Sequence, residues 1–230
     1  MDKLTIAEFW KTRAAYGTTR WTGSELLDFD TALAGSFVRP AARILDLGSG
    51  FGELSRAICP PDGSVLAVDS EPAMAAGFQG DPRFEFVAAD VLSFRPPHRF
   101  DLVLLFGVMN YFEAAEMMDL VEILESAVDP RGVVLVKNQC SDDVGFAVDV
   151  DFQGTGQRYI ARYPGVAEEV ETLKKRFPHV EVVPYPPQFK QHATSTHVAF
   201  ICRLEDPPAP RRAGPRAGSG SLIPSDGGGG

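Results

Sequence analysis

The stretch Asp46-Leu47-Gly48-Ser49-Gly50-Phe51-Gly52 closes an apolar run with an acid and then turns on glycines. Glycine lets a backbone come close to a ligand, and a helix opening at Glu53 would offer unpaired N–H groups to a carboxylate or phosphate. Asp69 follows Asp46 by 23 residues and ends the run Val65-Leu66-Ala67-Val68, while Asp90 comes 21 residues later and ends Phe84 to Ala89. A carboxylate at the end of a strand can accept both hydroxyls of a ribose. Any one of these acids also reads as a solvated strand end, and a lone Gly-x-Gly occurs in many tight turns. Their register as a set is what points to a nucleoside held from one side.

Positioning such a set requires parallel strands, and the chain provides the pattern. From Arg43 to Arg203 short β-branched runs alternate with amphipathic stretches, the signature of βαβ units. Strands are predicted at Arg43–Leu47, Ser64–Asp69, Phe84–Ala88, Phe100–Phe106, Gly132–Lys137, Val180–Tyr185 and His197–Arg203. Helices are predicted at Glu53–Ile58, Glu71–Gly77, Ala114–Ala127 and Ala167–Phe177, with an irregular link at Val91–Phe94. The last two strands are joined only by Pro186–Thr196, too short for a helical crossover, so they are expected to pair antiparallel. Ahead of the sheet, Thr5–Ala15 and Ser24–Val38 read as helices, the first with Thr5 and Glu8 as a capping box, the second with Ser24 as N-cap.

Composition limits the partners. A length of 230 residues with 44% hydrophobic side chains suits one domain with a sizeable core. The net charge of −9 repels phosphate backbones, so nucleic acid is not expected as a partner. Cys59, Cys140 and Cys202 are odd in number and far apart, which argues against a disulfide framework or structural zinc and fits a reducing cytosol. No run of 18 apolar residues predicts a membrane span, the N-terminus does not read as a signal peptide, and no cluster of ligating residues calls for a metal. Residues 204–230, rich in proline and glycine, read as a disordered tail. The organisation expected is an N-terminal helical cap over 1–40, a core over 41–203 with a lid insertion at about 141–166, and that tail.

With these motifs in order, the chain resembles the class I S-adenosylmethionine-dependent methyltransferases of small-molecule type over about Arg43 to Arg203. The glycine turn, Asp69, Ala89-Asp90 and Phe100-Asp101-Leu102-Val103 correspond to the family's ordered motifs. The resemblance implies an α/β, Rossmann-like fold: a seven-stranded, mostly parallel sheet with an antiparallel final strand, helices on both faces and an N-terminal helical extension. It implies that Gly48, Ser49 and Gly50 pack against the methionine portion of S-adenosyl-L-methionine, with Asp46 and Gly52 supporting the turn. Asp69, with Ser70 beside it, would hold the ribose; Asp90 and Val91 would contact the adenine, and Met74 would cover its face. A nicotinamide or flavin protein would want Gly or Ala where this chain has Glu53.

Ligands of open α/β sheets bind beyond the carboxyl ends of the strands. Phe106 to Phe112 should therefore lie near the donor methyl, with Asn110 and Tyr111 able to orient an acceptor. They do not form the Asn/Asp-Pro-Pro-Tyr/Phe tetrapeptide of methyltransferases that act on adenine or glutamine amides. Lys137 ends the fifth strand, and the long connection after it carries Arg158, Tyr159 and Arg162. Bases gathered near a pocket of an acidic protein suggest an anionic acceptor, although surface ion pairs with Asp142, Asp143, Asp149 and Asp151 are the alternative. His192, in the connection overhanging the site, is the candidate general base. Tyr16 and Trp21 would shape the pocket from the N-terminal segment, whereas Trp10 reads as simple packing.

The function expected is transfer of a methyl group to a small, anionic metabolite, as in secondary metabolism, by a cytoplasmic monomer or homodimer with no membrane contact. Two other readings stay open at this stage. One is a non-catalytic S-adenosylmethionine-binding regulator or partner subunit. The other is an enzyme that remodels the donor itself, with lid arginines on a second carboxylate.

Overall fold

The computed structural model describes residues 1–17, 19, 23–152, 155–190 and 193–206. Among these residues nine strands form in chain order: β1 (Arg43–Leu47), β2 (Ser64–Asp69), β3 (Phe84–Ala88), β4 (Phe100–Phe106), β5 (Val128–Ser141), β6 (Phe146–Asp151), β7 (Arg158–Tyr163), β8 (His179–Pro184) and β9 (Ser195–Arg203). Five helices accompany them: α1 (Lys3–Ala15), α2 (Glu25–Gly35), α3 (Glu53–Ile58), α4 (Ala114–Ala127) and α5 (Val166–Lys174). Seven strands make one sheet in the order β3-β2-β1-β4-β5-β9-β8, in which only β9 runs antiparallel to its neighbours. Among the described residues no helix is long and apolar enough to cross a membrane.

The central strands read as near-continuous apolar runs because both faces of the sheet are covered. Side chains alternate between those faces. Leu45, Leu47, Val103, Leu105, Val134 and Val136 pack toward Leu120, Val121 and Leu124 of α4 and Leu173 of α5. Ile44, Leu102, Leu104 and Leu135 pack toward Ala34 of α2 and Ile58 of α3. The same alternation sorts the polar residues that follow along each strand. Asp46, Asp69, Phe106, Lys137 and Gln139 continue the α2/α3 face, and His197, directly opposite Gln139 in the β5–β9 register, joins them.

Several boundaries differ from expectation for physical reasons. The first helix starts at Lys3 because Asp2, not Thr5, caps it: the Asp2 carboxylate accepts from the backbone of Leu4 and Thr5 (both 3.2 Å) and from the Thr5 hydroxyl (2.7 Å). Ser24 caps the second as expected, accepting from Leu27 N at 3.3 Å, but the helix stops at Gly35 rather than Val38. The helix expected over Glu71–Gly77 is a 3₁₀ turn, Pro72–Phe78, in which a Cβ on Gly77 would sit 2.1 Å from the Phe51 carbonyl oxygen. The tail expected over 204–230 falls outside the described residues beyond Asp206, and Leu204 packs against the core.

The largest departure is the connection after β5. The segment expected as a lid insertion holds β6 and β7 as an antiparallel hairpin that forms a second, two-stranded sheet. Phe9 of α1 packs against Tyr159 and Phe152 at centroid distances of 5.2 Å, and Trp10 meets Tyr111 edge-on at 5.8 Å. Hairpin and first helix thereby share one aromatic cluster with the chain just after β4.

On the far face, Glu169 of α5 is buried and accepts a hydrogen bond from the Asn138 amide. Burial lifts its carboxyl from an ordinary 4.5 to about 7, against the Asn138 bond and the nearby Arg162 charge. A raised carboxyl binds its proton more tightly in the folded state, so its contribution is full below about pH 4.5 and is lost as pH climbs through about 7. Glu169→Gln, which keeps the acceptor for Asn138, is expected to flatten that dependence by about 3 kcal/mol. Urea unfolding of both proteins from pH 4.5 to 8 checks this; parallel curves would refute it.

Candidate active site

The carboxyl edge of the sheet opens into a cavity of about 430 Å³. Its first half is built by the turn after β1. Gly48 N and Ser49 N donate to the Val68 carbonyl (2.8 and 3.1 Å), which fastens the turn to β2. Gly48 and Gly52 have φ of +71° and +72°, and a Cβ would lie 2.2 Å from Val108 Cγ2 at the first and 2.2 Å from Phe78 Cε1 at the second. Asp69 faces this turn with both oxygens: Oδ2 accepts from Gly50 N at 2.9 Å and Oδ1 from Glu71 N at 3.0 Å. Burial raises its carboxyl pKa although both backbone bonds oppose the shift. Asp46, more deeply buried, is pushed up to about 7 by desolvation, with a bond from Ser55 opposing and the charge of Asp69 adding. Asp90 accepts from Leu92 N at 2.8 Å, which turns the chain so that Val91 faces inward.

Of the residues expected to hold a cofactor, Asp46, Gly48, Ser49, Gly50, Asp69, Ser70, Met74, Asp90, Val91 and Phe106 all line the cavity. Gly52 does not; it caps α3 behind the turn. The fit to a nucleoside-bearing cation is good: the glycines leave backbone room, and three carboxylates supply acceptors and negative charge.

The second half lies over the ends of β4, β5 and β9, roofed by α1 and the hairpin. Asn110, Tyr111, Lys137 and Tyr159 line it as expected. Asn110 spends both amide hydrogens on carbonyls, Gln139 O at 3.0 Å and Arg162 O at 2.7 Å, so it braces the hairpin against β5 and keeps only its oxygen for a ligand. Lys137, one of the bases expected near the pocket, is met by an acid. Its ammonium donates to Asp30 Oδ2 at 2.9 Å, and the Tyr185 hydroxyl donates to Asp30 Oδ1 at 2.6 Å. Burial raises the Asp30 carboxyl pKa, while Lys137 and Tyr185 pull it back.

Two expected residues are elsewhere. Arg158 is exposed, grips Asp149 with two nitrogens (2.6 and 2.5 Å) and is absent from the cavity wall, because β-hairpin pairing points it outward. Tyr16 is 71% exposed at the end of α1 and likewise does not line the cavity. His192 and Trp21 lie outside the described residues. Conversely, Trp10 lines the cavity instead of merely packing, and so do Asp30, Gln139 and His197. Asp30 had one signal in the sequence: it sits on the buried Leu26–Asp30–Ala34 stripe of α2, where an acid needs a partner.

Residues 44–132 match the family described as "Methyltransferase domain". Over that stretch, under half of the chain, the protein is similar to methyltransferase domains. Solved structures similar to this chain are bound to S-adenosylmethionine or to S-adenosylhomocysteine. The 1,6-didemethyltoxoflavin-N1-methyltransferase of Burkholderia thailandensis superposes with a TM-score of 0.71 at 21% identity, over 89% of each chain. A glycopeptide N-methyltransferase gives 0.62 at 14% identity, over 78% of this chain and 94% of that one. These likenesses establish the fold. In sequence, the chain is 27% identical over 190 residues to a carboxy-S-adenosyl-L-methionine synthase of Pectobacterium atrosepticum, covering 69% of this chain and 76% of the relative.

Proposed function

We propose that the protein transfers the methyl group of S-adenosylmethionine to a small molecule seated over the ends of β4, β5 and β9. The observation that carries this is one continuous cavity on one face of the sheet, running from Asp46, Asp69 and Asp90 to Asn110, Lys137 and His197. Asp69 would hold the ribose, Asp90 and Val91 the adenine side, and the Gly48–Gly50 backbone the amino-acid portion. The bound donor supplies an electrophilic methyl on a sulfonium. The chain's own part is to hold the acceptor atom in line at near-attack distance and to exclude water with α1 and the hairpin, which act as a lid. His192 is the proposed acceptor of the proton released.

The printed name of the curated relative favours a second reading, in which the donor itself is remodelled. That reading asked for lid arginines on a second carboxylate. Arg158 is engaged by Asp149 and Arg162 by Glu168, and among the described residues of the cavity wall there is no arginine. Methyl transfer is therefore the better supported.

Calorimetric titration with S-adenosylmethionine, S-adenosylhomocysteine and NAD tests the cofactor, and the product mass tests the chemistry. Binding of the two sulfur nucleosides alone is expected; binding of NAD, or a product heavier by a carboxyl group, would overturn the reading. Affinity for the donor should also rise with pH. Asp46 gains its charge only above about 7, and a negative wall favours a cationic ligand. Titrations at pH 6 and 8 are expected to show severalfold tighter binding at the higher pH, and an equal or reversed order would refute the role of Asp46.

A further inference from the structure

The acceptor end of the cavity has an unusual charge balance. Among the described residues two lysines line the cavity, and each is met by a carboxylate: Lys137 by Asp30 at 2.9 Å and Lys3 by Glu116 at 2.8 Å. The Lys137–Asp30 pair is held on both sides, with side chains no more than 5% exposed, and the Tyr185 hydroxyl fixes the other Asp30 oxygen. A carboxylate or phosphate entering here would have to compete with Asp30 for Lys137, leaving one buried anion uncompensated, which is strongly unfavourable. Rings line the same cavity: Phe106, whose centroid is 5.9 Å from the Lys137 ammonium, and Trp10, Tyr111 and Tyr159, with Trp10 to Tyr111 and Tyr111 to Tyr159 edge-on at 5.8 and 6.3 Å. Such walls offer flat apolar faces with polar rims.

We propose that the acceptor is an uncharged planar ring compound, and that the buried Asp30–Lys137 pair is the device that selects against anionic rings. The inference rests on the methyl-transfer reading and replaces the anionic acceptor expected from the sequence. The pair presents a hydrogen-bond donor and an acceptor side by side with no net charge, which suits a ring edge carrying an N–H next to a carbonyl. It thus acts as a specificity determinant through attraction of one class and repulsion of the other.

The test uses the full chain saturated with S-adenosylhomocysteine and two matched probe pairs, uracil with orotate and nicotinamide with nicotinate, read by ligand-observed saturation-transfer NMR. The neutral member of at least one pair is expected to bind at least tenfold more tightly. Asp30→Asn leaves the Lys137 charge uncompensated and is expected to shift that ratio at least tenfold toward the carboxylate. Lys137→Met, checked for folding by its melting curve, should weaken the neutral ring and gain nothing for the anion. Equal or stronger binding of the carboxylates to the unmodified protein, no binding of either neutral ring, or an unchanged ratio in a folded Asp30→Asn protein would each overturn the proposal. If S-adenosylhomocysteine itself fails to bind, the reading of the cofactor has failed instead, so the two failures are separable.

Discussion

Asp69→Ala is expected to weaken S-adenosylhomocysteine binding at least tenfold, and by as much as a hundredfold. The side chain does two things at once in the proposed complex. It accepts from Gly50 N and Glu71 N, which sets the glycine turn against the end of β2, and it faces the cavity where the ribose hydroxyls would lie. Hydrogen bonds to a charged acceptor contribute about 1.5–3 kcal/mol each, and about 1.4 kcal/mol is a factor of ten in affinity. Alanine removes the ribose bonds and leaves two backbone donors facing a gap. Calorimetry reads the affinity while a melting curve shows that the fold survives. Unchanged affinity in the folded variant would remove the ribose from Asp69.

Gly52→Ala is expected to damage the fold more than the ligand contacts. Gly52 does not line the cavity, yet its φ of +72° opens α3 and its missing Cβ leaves room for the Phe78 ring. A left-handed conformation costs a residue with a Cβ about 1–2 kcal/mol, and overpacking a filled site about 1–3 kcal/mol. A combined loss of about 2–4 kcal/mol lowers the melting temperature of a domain this size by roughly 5–15 °C. Phe78 must swing away, and the turn carrying Gly48 and Gly50 loosens with it. A change of less than about 2 °C would show that the ring yields at no cost and that the close approach is unimportant.

The two variants test parts of the site that were unequally legible. Four strands, β1 to β4, and the helices α3 and α4 have the boundaries read from the apolar runs. These elements are buried on both faces or bounded by glycine and acid, so local pattern and tertiary environment agree. The motif acids lie at the ends of such strands, and a strand end fixes where its last side chain sits. The hairpin was less legible: Tyr159, Ala161 and Tyr163 share one face of the strand, but Ile160 on the other face is buried as well, so no clean alternation marks it. Its length suggested a lid. The partner that buries one face is α1, some 150 positions earlier in the chain.

The sequence by itself therefore determined the succession of strands and helices along the chain, the antiparallel close, and the glycine-and-acid half of the cavity, because each depends on residues adjacent in the chain and on alternation along single strands. The tertiary structure alone decided the charge of the other half. Lys137 and Arg158 look alike as bases in an acidic chain, and sequence left both open between an anionic acceptor and ion pairs with acids such as Asp149. Only packing places Asp30 of α2 at 2.9 Å from Lys137 inside the cavity wall and sends Arg158 outward to Asp149. The sign of a pocket depends on which charges are desolvated together, and that is set by contacts 107 positions apart, beyond the reach of local pattern.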